Sequence, residues 1–111
     1  MEKFVIRGGN PLEGEIDVRG AKNVAFPVLA ATILTKQDCV IRNLPLIEDV
    51  FRMLEILESM KATVEWEGKR TVRINTKNLS QANVNTEAIL RFRGSVLLYG
   101  PLLSRFGTVR L

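Results

Sequence analysis

The chain of 111 residues has no histidine and a single cysteine. The first absence removes a histidine general base and any serine–histidine–aspartate arrangement. The two together leave no Cys/His zinc set and no internal disulfide, which fits a reducing compartment. Aromatic residues are scarce at 6%, with one Trp and one Tyr. The interleaved aromatics of a single-strand nucleic-acid platform are missing. Long apolar runs are also wanting: residues 24–34 form the longest, interrupted by Pro27, well short of the roughly 20 residues of a membrane span. The start, Met1-Glu2-Lys3-Phe4-Val5-Ile6-Arg7, shows no apolar run leading to a small-residue cleavage site. The expectation is a cytoplasmic protein with no membrane partner.

What is present is ordinary globular composition, 46% hydrophobic and 25% charged. A compact chain of this size would have a radius of about 13 Å. Sixteen Lys+Arg against twelve Asp+Glu give +4. These charges are spread along the chain and lean only slightly toward anionic ligands.

Periodicity orders the elements. Phe4-Val5-Ile6 reads as a short strand closed by the turn Gly8-Gly9-Asn10-Pro11, and residues 12–19 alternate with Leu12, Ile16 and Val18 on one face. Residues 21–36 read as a helix apolar almost all round, starting near Asn23 or only at Pro27, because proline is not tolerated deep in a helix. Residues 39–44 make the next strand. Residues 49–61 form an amphipathic helix with Val50, Met53, Leu54, Leu57 and Met60 in one stripe. A hairpin follows over 63–66 and 71–74, with Val64, Trp66, Val72 and Ile74 inward, and then a polar loop over 79–85. Residues 86–106 are helical with breaks near Gly94 and Gly100-Pro101, and 108–111 look like the start of a strand. The order is β-β-α-β-α-β-β-α-β, and the stop inside a strand suggests a piece of something longer.

Few residues offer chemistry. Gly20-Ala21-Lys22-Asn23 lies between a strand and a helix, where unpaired N–H groups and the helix dipole attract anions. A lysine there is unfavourable unless something negative is nearby. The bland alternative is a solvated Lys22 beside an asparagine N-cap. Arg91 and Arg93, with Arg105 further on, bracket an apolar helical stretch. Such an arginine either offers its planar fork to a phosphate or carboxylate, or is solvated and covers apolar surface with its stem. Cys39 reads as a small buried residue rather than a nucleophile.

Several strings together resemble one family. They are Lys3-Phe4, Leu12-Glu13-Gly14-Glu15-Ile16, the run from Gly20 to Pro27, and Ile41-Arg42-Asn43-Leu44-Pro45. Arg93-Gly94-Ser95 and the run from Gly100 to Gly107 complete the set. Their order and spacing are similar to the start of the UDP-N-acetylglucosamine 1-carboxyvinyltransferase family. The resemblance implies an α/β (α+β) fold: one β-α-β-α-β-β unit of an inside-out α/β barrel at 21–111, preceded by strands at 1–20 that pair in the other domain. It implies a transferase that moves the enolpyruvyl group of phosphoenolpyruvate to the 3′-hydroxyl of UDP-N-acetylglucosamine for peptidoglycan synthesis. Phosphate leaves by addition and then elimination. No cofactor, metal or nucleic acid is implied.

Carried over residue by residue, Lys22 and Asn23 meet phosphoenolpyruvate and Arg93 meets the UDP-sugar, while Arg91 falls where the family usually has lysine and is given no more than electrostatic support. Gly94 stands where the family's Arg-Ala-Ser motif has alanine, which frees the local backbone. The family's catalytic cysteine lies beyond Leu111, and Cys39 does not replace it. These 111 residues alone are therefore expected to be inactive. Their partners are the remainder of the enzyme or, through the exposed apolar helix, other copies. The competing readings are a shikimate-phosphate enolpyruvyl transferase, a truncated non-catalytic unit and a small nucleic-acid-binding module.

Overall fold

The computed structural model describes residues 2–82, 84 and 86–109. Helix α1 (Lys22–Ala31) continues as a 3-10 turn (Thr32–Leu34), then come β1 (Cys39–Ile41) and α2 (Glu48–Ser59). Strands β2 (Thr63–Trp66) and β3 (Val72–Asn75) form a hairpin. Helix α3 (Thr86–Arg91), a 3-10 segment (Arg93–Leu98) and α4 (Tyr99–Phe106) follow. The sheet is antiparallel in the order β1-β3-β2.

Cross-strand register explains which sheet residues face the helices. Ile74 stands opposite both Cys39 and Val64, and Val72 opposite both Ile41 and Trp66. These residues share one face, because directly opposed residues point the same way. Val72 and Ile74 are wholly buried there. Trp66 is not: it remains 42% exposed at the turn end of the hairpin, its ring 6.0 Å from that of Phe51. On the other face Arg73 joins Asp38 at 3.2 Å and also pairs with Glu67, while Asn75 Nδ2 donates to Asp38 Oδ1 at 2.7 Å.

The expected stripe of α2 is the centre of the core, with Val50, Met53, Leu54, Leu57 and Met60 buried together with Ile56. On its solvent side Arg52 bridges Glu48 at 2.9 Å and Glu55 at 3.3 Å. Leu29 and Ile33 from the first helical stretch, with Leu98 and Leu102 from the last, close the core. Arg105, one of the arginines singled out in the sequence, is structural. Its Nη1 donates to Ile33 O at 3.0 Å and to Thr76 Oγ1 at 2.8 Å, and its Nη2 donates to the carbonyls of Thr76 and Lys77.

Five expectations need correction. Residues 2–20 form no strand; Leu12, Ile16 and Val18 are 96%, 91% and 83% exposed. An alternating segment becomes a strand only where a sheet edge receives it, and no described strand does. Helix α1 starts at Lys22, matching the earlier of the two expected starts, but ends at Ala31, short of residue 36. The strand expected over 39–44 stops at Ile41, because Asn43 takes a left-handed conformation at φ 59°. The break in the last helical stretch falls at Phe92, not at Gly100-Pro101, since Pro101 sits in the first turn of α4, where its missing N–H costs nothing. Thr108 and Val109 are not strand, and Arg110 and Leu111 lie outside the described residues.

Candidate functional site

The entry to α1 is shaped by sterics before chemistry. At Gly20 a Cβ would stand 2.0 Å from the carbonyl oxygen of Asn43, so only glycine lets the chain cross the 42–45 loop at that point. Asn43 fixes the loop in turn. Its Oδ1 accepts from Arg70 Nη1 at 2.7 Å and its Nδ2 donates to Val18 O at 3.3 Å, while Leu44 N donates to Arg70 O at 3.0 Å. Neither residue was singled out for such a role in the sequence. The left-handed tolerance of asparagine was the signal that could have found Asn43.

Immediately after this crossing, Ala21 is the N-cap of α1 and supplies no side-chain cap. Lys22 and Asn23 are its first two residues and both are exposed. Asn23 is therefore not the N-cap. The lysine stands at a helix start as expected, though no strand leads into it. With no acid in the first turn, the dipole and the lysine charge add, which favours an incoming anion. A cavity of about 210 Å³ adjoins this end of the helix, lined among others by Gly20, Ala21, Val24, Arg42, Asn43 and Pro45. Across Pro45 lies a more open concavity of about 430 Å³ lined by Arg19, Leu46, Lys69 and Arg70.

Arg93 is exposed at the first position of the 3-10 segment. This segment packs on α1 through Phe92 and Phe26, whose ring centroids are 5.0 Å apart with planes at 68°. Phe26 is one helical turn after Lys22, so the structure joins the two elements that carry Lys22–Asn23 and Arg93. The side chain of Arg91 lies outside the described residues. Gly94 has a different reason from the one expected: it is not among the positive-φ glycines, and a Cβ there would lie 2.0 Å from Cζ of Phe92.

Cys39 is half-buried, its Sγ 3.8 Å from Gln37 O. Burial, and then the charge of Asp38, push its thiol above the ordinary value, so it is protonated at neutral pH and is no nucleophile. Among the described residues no three His, Cys, Asp or Glu side chains gather into a metal-holding group. No described helix is long and apolar enough to cross a membrane.

Comparison with known proteins bears on the same elements. The model of the EPSP synthase (3-phosphoshikimate 1-carboxyvinyltransferase) family matches residues 6–111. A UDP-N-acetylglucosamine 1-carboxyvinyltransferase of Methylacidiphilum infernorum is 46% identical over 111 residues, all of this chain and 26% of that protein. One from Symbiobacterium thermophilum is 44% identical over 115 residues, 99% of this chain and 26% of that protein. One from Helicobacter pylori is 39% identical over 106 residues, 96% and 25%. The crystal structure of the enolpyruvyl transferase NikO from Streptomyces tendae superposes with a TM-score of 0.74 at 27% identity, over 90% of this chain and 23% of that one. The chain thus spans about a quarter of the length of the curated relatives it matches.

Proposed function

Given that this chain belongs to the EPSP synthase family, we propose that it supplies part of the substrate site of an enolpyruvyl transferase acting on UDP-N-acetylglucosamine. The observation that carries this reading is the start of α1, where exposed Lys22 and Asn23 follow an N-cap without a side-chain cap. Phosphoenolpyruvate carries a carboxylate and a phosphate. The Lys22 ammonium and the free N–H groups of the first turn attract both, and stabilise the anionic tetrahedral intermediate in the same way. The amide of Asn23 can both donate and accept, which suits orienting the sugar hydroxyl against the enol carbon. Arg93 binds the UDP-sugar.

The hydroxyl adds to C2 of phosphoenolpyruvate while C3 takes a proton. Loss of a C3 proton and of phosphate then restores the double bond. The acid for C3 and the group that receives the hydroxyl proton belong to parts of the protein outside these residues. In the whole protein the other domain supplies the edge that residues 2–20 lack here, the protein is cytoplasmic, and its product enters peptidoglycan synthesis.

Two substitutions in the whole protein test the assignment. Lys22→Ala lowers kcat/KM for phosphoenolpyruvate by a factor of roughly 10² to 10³, the scale of one preorganised charge contact. Arg93→Ala acts mainly on the KM for UDP-N-acetylglucosamine. Small and equal effects on both substrates from both variants refute the residue roles. Because the matching family model is described as the 3-phosphoshikimate enzyme, shikimate 3-phosphate is assayed in parallel. Turnover of that acceptor in place of the UDP-sugar overturns the substrate reading.

A further inference from the structure

Arg93 is held between two residues whose shapes depend on each other. The Phe92 ring is buried, with only 3% of the residue exposed, and meets Phe26 edge-on at 5.0 Å. The same ring folds back over Gly94: a Cβ there would stand 2.0 Å from Cζ and 2.3 Å from Cε1. Carbon atoms in contact keep about 3.5–4.0 Å, so an alanine at 94 and the ring at 92 cannot share this space. Retreat toward α1 is opposed by Phe26, which is itself buried. The backbone holds Arg93 weakly, since Ser95 N reaches Phe92 O at a long 3.3 Å and 3-10 hydrogen bonds are poorly aligned. Side-chain packing must therefore fix this turn.

We infer that Phe92 and Gly94 are a matched pair of positioning residues for Arg93. The glycine leaves the space that the ring fills, and the ring, seated on Phe26 one turn from Lys22, sets where Arg93 stands relative to the start of α1. This rests on the assignment of Arg93 to the UDP-sugar. It follows that the alanine of the family motif is compatible only with a smaller side chain at 92.

The test uses the whole protein as wild type, Phe92→Leu, Gly94→Ala, Phe92→Leu/Gly94→Ala and Arg93→Ala, each assayed with both substrates. Displacement of a binding group by about 1 Å costs up to ~10²-fold. Gly94→Ala accordingly raises the KM for UDP-N-acetylglucosamine about tenfold or more, with little change in kcat or in the KM for phosphoenolpyruvate. The double variant returns that KM to the value of Phe92→Leu. A wild-type KM in Gly94→Ala, or a double variant as impaired as Gly94→Ala, overturns the pairing. If Gly94→Ala does not fold, the double variant is compared with Phe92→Leu alone. Equal KM values support the pair and a further tenfold rise refutes it. Arg93→Ala keeps the two readings apart. If it leaves the UDP-sugar KM unchanged, the binding role of Arg93 fails, and thermal unfolding decides the steric pair: Gly94→Ala lowers Tm and Phe92→Leu restores it, or the pair is wrong.

Discussion

At Lys61 the backbone takes φ 75°, the left-handed region in which side chains other than glycine are strained. The surrounding hydrogen bonds show why. Helix α2 ends with Lys61 N donating to Glu58 O and Ala62 N to Leu57 O, both at 3.0 Å, the paired bonds of a Schellman closure. Glycine is the usual residue at that position, and here the closure is imposed on a lysine. Lys61→Gly therefore stabilises the fold by about 0.5–1 kcal/mol, the strain relieved less the extra chain entropy of glycine. Denaturant unfolding measures this, and a loss of stability would show that the lysine is not strained. Single residues were legible where chemistry marked them, as with Lys22 and Asn23 at a helix start. They were illegible where the constraint is a close approach that exists only in the folded chain. Gly20 has its reason in the Asn43 carbonyl, distant in sequence, and Gly94 in the way the Phe92 ring, two residues back, folds over it.

At the scale of elements, legibility followed self-sufficiency. The stripe of α2 and the β2–β3 hairpin were readable because each carries its own period and its partner is close in sequence. The segment 2–20 carries an equally plain period, yet it forms no strand, since a strand needs an edge to join. Helix α1 runs through Pro27 because Ala25, Phe26, Leu29 and Ala30 bury one side of it, and tertiary burial offsets a local penalty that sequence alone makes look decisive. The outer face of the sheet adds a pH-dependent tie. The hydrogen bond from Asn75, then that from Arg73, hold the Asp38 carboxyl below its ordinary value of 3.8. A carboxylate with a lowered folded pKa contributes stability that is complete above its unfolded pKa and is lost as pH falls through the folded one. Asp38→Asn thus lowers stability at neutral pH, and its deficit shrinks and disappears as the pH is taken below the ordinary aspartate range. Unfolding curves of both proteins from pH 7 downward check this; a deficit unchanged at low pH would mean that the charge of Asp38 contributes nothing.

Taken whole, the molecule is not the compact body its length suggests. Its radius of gyration is 17.5 Å and its extents are 58 × 32 × 20 Å, against about 13 Å for a compact chain, because residues 2–19 lie exposed. The helical layer is also covered on one side only. Val24 is 62% exposed, Leu34 59%, Val96 61% and Leu103 55%, and the elements that bear them pack against one another. Soluble monomers seldom leave apolar patches larger than a few hundred Å² uncovered (roughly 300–600 Å²). In the 111-residue chain produced alone, the occupant available for this face is a second copy. On the proposed function, the same isolation leaves the Lys22–Asn23 end of α1 without the groups that would supply and receive protons, and without the closure that would exclude water from a reacting site. The expected result is self-association at micromolar concentration in sedimentation, and no phosphate release when phosphoenolpyruvate and UDP-N-acetylglucosamine are supplied together. Val24→Lys/Val96→Lys, which places charge on the uncovered helices, shifts the sedimentation toward monomer and leaves the chain inactive. A wild-type chain that sediments as a stable monomer shows that the uncovered face is tolerated, and turnover by that monomer shows that one quarter of the relatives' length already holds the chemistry.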